Sequence, residues 1–234
     1  MSGETESAAG AGSDTPEAIM EATYRALCRH GYADLTMQDI ADESDKSKAS
    51  LHYHYDTKED LLLAFLDHLY DSFTEKFAET EGDHAVDRLV TFVDEVLCQS
   101  DVEGAEEFQT AYLEIKAQAP YVEAYRDQLE RVDAFVRDRV REIVADGIDE
   151  GVVRSDVDPR DTAAFVATLI DGVNTRRVAI GETDGSTRNT FLAYVRENLV
   201  APDADVVVDV GDDTAGRDAE AEAESTETPA EAEN

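Results

Sequence analysis

The sequence predicts an all-α fold, and three observations support this prediction. Apolar residues recur at three- and four-residue spacings through residues 15–200. Helix start signals such as Thr15-Pro16-Glu17 precede these runs, and glycines such as Gly31 and Gly151 follow them. No long alternation of apolar and polar residues indicates a strand, and the valine run 206–208 is too short and isolated to form one.

The first four helices are expected from their start and stop signals. The first begins at Pro16 and continues to His30, where Gly31 ends it. The next three begin after hydroxyl side chains that can accept hydrogen bonds from first-turn amides, namely Thr36, Ser47 and Thr57. The helix that begins at Thr36 is short, the third ends near Tyr53, and the fourth is long.

Helical spacing continues from Gly82 to about residue 200. Asp83 is expected to cap a fifth helix, and a sixth is expected over residues 105–118. The longest helix is predicted to begin at Pro120 and to end before Gly151. Two more follow, one that begins at Asp158-Pro159 and a last one that contains residues 190–200.

Composition sets the class of protein. The chain has 234 residues, of which 42% are apolar, so one or two folded domains with a sizeable core are expected. No apolar run approaches the roughly 18 residues of a membrane span, which indicates a cytoplasmic protein without membrane contact. Cys28 and Cys98 make no disulfide framework and are interpreted as small buried hydrophobes. No cofactor, metal site or catalytic residues are expected, because no His/Cys cluster, nucleophile–base pair or phosphate loop is present.

The chain is strongly acidic, with 55 Asp and Glu against 20 Lys and Arg and a net charge of −35. Only five of the basic residues are lysine. This pattern is typical of proteins from halophilic organisms, in which concentrated salt screens the self-repulsion. The alternative is an ordinary acidic protein.

The charge is unevenly distributed and suggests the domain organisation. Residues 1–14 and the acidic tail 201–234, which carries a net −11, are predicted to be disordered. Between them, residues 15–61 and 62–200 are predicted to form two helical domains. The window from Lys46 to Lys58 holds three lysines against one acid, so it is where a polyanion would bind.

That window coincides with a helix-turn-helix pattern. Residues 36–43 form the first helix, residues 44–46 the turn and residues 47–53 the second helix, which in this motif lies in the DNA major groove. Lys48 can reach a phosphate or a guanine edge, and Ser47 and Ser50 can donate to phosphate. A metal-ligand role for His52 and His54 is disfavoured, because side chains two residues apart on a helix point in different directions. The pattern therefore predicts DNA binding.

About fifty residues, from Ile19 through this motif to Leu62, resemble the TetR family of transcriptional repressors. The matching segments include 36–41 (TMQDIA), 47–55 (SKASLHYHY) and 58–62 (KEDLL), without a gap. Asp45 replaces the usual turn glycine, and Lys46 replaces the usual apolar residue. The resemblance implies that Thr36 and Lys58 hold the DNA backbone and that the second helix faces the groove. The full set of expected DNA contacts is Thr36, Gln38, Lys46, Ser47, Lys48, Ala49, Ser50, His52, Tyr53, His54 and Lys58.

The resemblance also implies a C-terminal helical domain for ligand binding and dimerisation. The run 165–170 is apolar on all sides, as expected for a core helix that also forms a homodimer interface. Helices at about 160–180 and 187–200 are therefore expected to pair between subunits. The candidate effector pocket consists of Phe92, Phe108, Tyr112, Tyr125, Phe135 and Asn174. The alternative for each aromatic residue is a place in the core, and Asp171 and Asn174 need polar partners.

Three functions are compatible with these features. The first is a homodimeric repressor on a pseudo-palindromic double-stranded DNA operator, released by a small-molecule effector. The second is a regulator controlled by a protein partner or by its own abundance. The third is an all-α binding module with a vestigial helix-turn-helix, for which the sequence provides no support.

Overall fold

The computed structural model describes residues 16–44, 46–97, 104–181 and 185–208. The all-α prediction is confirmed: these residues form helices and no β-strand, with only an isolated antiparallel bridge between Val153 and Val200. None of the helices in the described ranges has the length and hydropathy needed to cross a bilayer. The helices are α1 Pro16–Asp34, α2 Met37–Asp42, α3 Lys48–His54, α4 Lys58–Phe77, α5 Ala85–Leu97, α6 Ala105–Gln118, α7 Glu123–Glu150, α8 Pro159–Ile180 and α9 Ser186–Tyr194.

The predicted caps of α2, α3 and α4 are confirmed. Thr36 accepts a hydrogen bond from the Asp39 amide at 3.3 Å, and the Asp39 carboxylate accepts one from the Thr36 amide at 2.8 Å. Thr57 and Asp60 make the same reciprocal pair at 3.0 Å in both directions. Two orphan amides are thereby satisfied at each helix start.

Gly31 interrupts α1 without ending it. Its φ of 68° and ψ of 175° are not helical, but one more helical turn follows to Asp34. The predicted end at His30 is therefore a kink, and the expected start signal at Thr15 lies outside the described residues.

Two other predicted boundaries are corrected. The fifth helix begins at Ala85, because the Arg88 amide donates to the His84 carbonyl and places the cap one residue after Asp83. The longest helix begins at Glu123 instead of Pro120, since the amides of Tyr121 and Val122 still bond to Gln118 at the end of α6. The last helix, predicted over about residues 187–200, is confirmed: it begins at Ser186 and continues as a π-helical turn over Val195–Leu199.

The buried apolar residues form two cores. The first joins α1, α2, α3 and the start of α4, and it also contains Ala111 and Ile115 of α6 and Tyr125 of α7. The second joins α5, α7, α8 and α9. Helix α6 packs on α1 and helix α7 on α4, so the predicted division at residue 61 does not separate two independent cores.

The segment after the last helix is bound to the second core. The Ala201 amide donates to the Val152 carbonyl at 2.9 Å, and Val206 and Val208 pack against the core. The prediction of disorder from residue 201 is thus wrong for residues 201–208, because Val206 and Val208 cover apolar surface of the second core. The predicted disordered segments 1–14 and 209–234 lie outside the described residues.

Two truncations should separate the packed valines from the rest of the tail. Removing residues 209–234 should leave the free energy of unfolding unchanged, whereas removing 203–234 should lower it by about 1–2 kcal/mol, the order expected for two half-buried valines. Chemical denaturation followed by circular dichroism measures both. Equal stability of the two truncated proteins would show that Val206 and Val208 do not contribute to the core.

Candidate DNA-binding interface and ligand cavity

Helix α3 is attached to the core by one side chain. Leu51 is fully buried, and the other α3 residues remain at least partly accessible. Tyr53 is 86% exposed, which is unusual for a large aromatic residue. The face predicted to read DNA is therefore outward and accessible. Its exposed members are Lys48, Ala49, His52, Tyr53 and His54.

The start of α3 is fixed by Ser47. Its hydroxyl oxygen accepts a hydrogen bond from the Ser50 amide at 3.1 Å, and its own O–H can still be donated to a phosphate. Ser44 stabilises the turn, because its hydroxyl donates to the Ala41 carbonyl at 3.1 Å and accepts from the Lys46 amide at 3.2 Å. Asp45, which replaces the usual turn glycine, lies outside the described residues.

The other two predicted contacts on the helix-turn-helix lie around α2. Thr36 and Gln38 are exposed, and the Gln38 amide donates to the Asp42 carboxylate at 2.7 Å. The Thr36 hydroxyl donates to Asp39 at 2.6 Å, and this hydrogen bond lowers the pKa of the Asp39 carboxyl. The cap at the start of α2 therefore carries a full negative charge at neutral pH.

A cluster that was not predicted from the sequence fixes the end of α2. Arg25 donates from Nη2 to the Glu43 backbone carbonyl at 2.9 Å, and Arg29 pairs with the Glu43 carboxylate. The Glu43 side chain is only 10% exposed, so this pair is better shielded than an ordinary surface salt bridge. The i, i+4 spacing of the two arginines on α1 was the available signal. These two cations are consequently committed to Glu43.

Lys58 has an internal partner. Its ammonium donates to the Tyr32 carbonyl at 3.2 Å and lies 4.8 Å from the centre of the Tyr32 ring. An ammonium has three N–H donors, so the predicted phosphate contact is still possible from this position.

A junction between α6 and α1 lies beside Lys58. The Tyr32 amide donates to Glu114 Oε2 at 2.6 Å. Gly31 permits this approach, because its φ is positive and an added Cβ would lie 3.1 Å from the same carboxylate oxygen. Helix α6 is thereby bonded to the end of α1, next to the start of the helix-turn-helix.

A cavity of about 820 Å³ lies between α4, α6, α7 and α8. Of the six predicted lining residues, Phe108, Tyr112 and Asn174 are on its wall. Most of the wall is apolar or aromatic, and α4 contributes Leu66, Leu69, Tyr70, Phe73 and Phe77. The i, i+3, i+7 spacing of the last three was the signal that sequence analysis overlooked.

The other three predicted lining residues do not face this cavity. Phe92 is fully buried in the second core with its ring 5.5 Å from that of Phe77. Tyr125 is fully buried in the first core, 6.2 Å from Tyr32, and Phe135 packs against Phe73 at 5.6 Å. Tertiary packing sets the rotation of each helix about its axis, and this rotation directs the three rings toward the cores instead of the cavity.

Two lysine and two aspartate side chains line the cavity. Lys116 of α6 pairs with Asp171 of α8, which supplies the polar partner that Asp171 needed, and Asp133 pairs with Arg137. The fourth is Lys76, whose ammonium lies 5.0 Å from the centre of the Phe77 ring. Burial, with a contribution from Asp171, raises the pKa of Tyr112 to about 12, so this phenol stays a hydrogen-bond donor.

Helices α8 and α9 present an apolar surface away from the cavity. Phe165 is 44% exposed, and its ring lies 4.9 Å from that of Tyr194. Ile180, at the end of α8, is also exposed. This is the surface that was predicted to pair between subunits.

The remaining reactive groups offer no alternative site within the described ranges. No three His, Cys, Asp or Glu side chains are grouped to hold a metal ion there. Cys28 is half-buried and donates to the Gly104 carbonyl at 3.3 Å, and burial raises the pKa of its thiol. Cys98 lies outside the described residues.

Family models match both parts of the chain. A model of bacterial regulatory proteins of the tetR family matches residues 19–65, and a model of the C-terminal part of BetI-type transcriptional repressors matches residues 85–200. Among solved structures, a TetR transcription regulator from Haloarcula marismortui is 43% identical, with a TM-score of 0.73 over 79% of this chain and 97% of that one.

Other relatives are more distant. The transcriptional repressor AcnR of Corynebacterium glutamicum is 23% identical over 71% of this chain and 84% of its own length. The regulator TtgR of Pseudomonas putida is 30% identical over 76 residues, which are 32% of this chain and 36% of its own. A transcriptional regulator from Saccharomonospora viridis in complex with choline shares the fold, with 24% identity and a TM-score of 0.67 over 80% of this chain and 97% of that one. These relatives are regulators and not enzymes.

Substitutions on α3 test the reading face. Lys48→Ala and Tyr53→Ala should each weaken binding to a duplex from the promoter of the protein's own gene by about 1–3 kcal/mol, because each removes an exposed group that can reach a base or phosphate. Fluorescence anisotropy at constant salt gives the affinity, and circular dichroism checks the helix content.

Tyr121→Ala is the matched control, because Tyr121 is 84% exposed but lies between α6 and α7. It should bind like the unmodified protein. Wild-type affinity in both α3 variants would reject the assignment of α3 as the reading helix.

Proposed function

Since this chain belongs to the TetR family of transcriptional regulators, we propose that it acts as a homodimeric repressor of a pseudo-palindromic operator and is released by a small molecule in the cavity. DNA binding and transcriptional repression are the functions of the family and of its relatives. The dimer, the form of the operator and the effector are the parts proposed here.

The observation that carries this proposal is the outward face of α3. The short helix α3 buries only Leu51, and its opposite face, with the exposed Lys48 and Tyr53, has no role in packing its own subunit. Its dimensions suit the major groove, which accommodates one α-helix. The Ser47 cap adds a hydroxyl at the end of the helix that meets the phosphate backbone.

The exposed surface of α8 and α9 supports a dimer. Phe165 and Tyr194 form an aromatic patch, and Ile180 extends the apolar surface along α8. Pairing of α8 and α9 with their two-fold equivalents would cover this surface in a four-helix bundle. A two-fold dimer then places two copies of α3 on two half-sites, which is why the operator is proposed to be pseudo-palindromic.

Helix α6 supports release by an effector, because it lines the cavity and is also bonded to the end of α1. Phe108, Tyr112 and Lys116 line the cavity, while Glu114 binds the backbone of Tyr32. A ligand that shifts α6 would shift the end of α1 and change the spacing of the two reading helices. The required difference in affinity between the two states is typically about 1–3 kcal/mol.

The dimer and the operator can be tested together. The unmodified protein should have the mass of a dimer by light scattering and should prefer a duplex from its own promoter to a scrambled duplex. Phe165→Asp, which places a charge in the proposed interface, should give a monomer with at least about tenfold weaker operator binding and unchanged helix content. A monomeric wild-type protein, or equal affinity for both duplexes, would contradict the proposal.

The charges of the reading unit lead to a prediction about salt. Residues 16–61 contain ten acidic and five basic residues, and Arg25 and Arg29 are bound to Glu43. The remaining lysines number three per subunit, so the slope of log affinity against log salt should be no steeper than about −5 for a dimer. Hydrogen bonds and ring contacts in the groove would then carry more of the discrimination.

Anisotropy titrations between about 0.2 M and 2 M KCl measure this slope. Specific binding should persist at molar salt, where the self-repulsion of the acidic chain is screened. Complete loss of binding by about 1 M KCl, with the protein still folded, would contradict this prediction.

A further inference from the structure

The five lysines of the chain occur at only two places. Three lie in the helix-turn-helix window, and the other two, Lys76 and Lys116, both line the cavity. The fifteen remaining basic residues are all arginine. From this distribution and the geometry of the cavity we infer that the effector is an amphipathic organic anion, with a carboxylate or similar head group and an apolar body. The inference rests on the proposed function, since it names the effector class of that cavity.

The cavity wall fits the apolar body of such a ligand. Rings from three helices face it, among them Phe73 and Phe77 of α4 and Phe108 of α6. Leu129, Val132 and Ile170 are among the aliphatic side chains that complete the wall. Apolar surface of this kind binds hydrocarbon through burial and does not select for charge, so the head group must be chosen by the ionisable residues.

The ionisable residues leave one positive charge without a carboxylate partner. Asp171 is paired with Lys116 and Asp133 with Arg137, while no carboxylate in the described part of the chain pairs with Lys76. The Lys76 ammonium instead contacts the face of the Phe77 ring. Acidic residues are abundant in this chain, which has a net charge of −35, yet none of the described ones pairs with Lys76. A cavity with an uncompensated ammonium attracts an anion.

The Lys116–Asp171 pair can exchange partners. The Asp171 side chain is more than half exposed, whereas the Lys116 side chain is mostly covered. An entering carboxylate can therefore take the place of Asp171 on Lys116, and Asp171 can return to water at low cost. Tyr112 lies beside this pair, and its neutral phenol can donate a further hydrogen bond to the head group.

A cationic effector fits less well. A quaternary ammonium is recognised by aromatic faces together with an accessible carboxylate, and both cavity carboxylates already have cationic partners. The choline complex of the Saccharomonospora viridis protein shows that this fold can hold a cation. The charges around the present cavity favour the opposite sign.

Three probes that share an apolar chain and differ in head charge test the inference: octanoate, octan-1-ol and octyltrimethylammonium. Calorimetric titration of the full-length dimer at constant salt should give octanoate at least about tenfold tighter binding than either other probe, the increment of one charge-assisted hydrogen bond. Octanoate bound no more tightly than octan-1-ol, or octyltrimethylammonium bound most tightly, would overturn the inference.

Two substitutions should act in opposite directions. Lys116→Met should weaken octanoate binding about tenfold and leave octan-1-ol unaffected, because it removes the ammonium and keeps the side-chain length. Asp171→Asn should strengthen octanoate binding several-fold, because it removes the competing carboxylate. If Asp171 instead bound the head group of a cationic ligand, Asp171→Asn would weaken binding of octyltrimethylammonium and would not strengthen binding of octanoate. That outcome would also overturn the inference.

Controls separate this result from the proposed function. If Lys116→Met proves unfolded, Lys76→Met takes its place and should weaken octanoate binding. The neutral control is Arg141→Met, which removes a cation of α7 that does not line the cavity and should leave octanoate binding unchanged. Operator binding is measured without any probe. Its absence in the wild-type protein would reject the proposed function, whereas intact operator binding without preference for octanoate would reject only the effector class.

Discussion

The hydrogen bond from the Tyr32 amide to the Glu114 carboxylate fixes how the two functional regions of this protein are related. It joins the end of α1 to the middle of α6 at 2.6 Å, and Gly31 provides the room. Around it, Ala111 and Ile115 of the same helix are fully buried in the core that supports the helix-turn-helix. Helix α6 therefore holds the end of α1, immediately before the helix-turn-helix, although the two helices are far apart in sequence.

Cations in this acidic chain are committed to specific tasks. Arg25 and Arg29 hold Glu43 at the end of α2, and Arg88 holds Glu150, whose carboxylate also accepts the Ala85 amide at 2.8 Å. These are arginines, whose planar guanidinium forms several directed hydrogen bonds. Lysine, a compact and mobile point charge, occurs only where a phosphate or a cavity ligand would be contacted. In this chain, therefore, the arginines named above hold structure together, and the lysines lie at the proposed binding sites.

The features that depend on local interactions could be predicted from the sequence. The caps at Thr36, Ser47 and Thr57 involve residues within one turn, so their pattern is visible without a fold. The cavity wall was only half predicted, because whether Phe92 or Phe108 faces it depends on the rotation of its helix against distant neighbours. The packing of Val206 and Val208 was missed for the same reason: the apolar surface that they cover belongs to other helices.

The magnitude of the α6 junction is appropriate to a switch. A hydrogen bond to a charged acceptor contributes about 1.5–3 kcal/mol, and allosteric coupling between two sites is typically about 1–3 kcal/mol. A Tyr32–Glu114 contact that is made in only one of the two proposed states would therefore be enough to change operator affinity about tenfold, without unfolding either core. Lys116 is two residues from Glu114 on α6, so the two side chains point to different sides of one rigid helix. In the proposed mechanism, a head group that displaces Asp171 from Lys116 acts on the same helix that holds the end of α1. Helix α6 alone then connects the cavity to α1, and no further residues are needed between them.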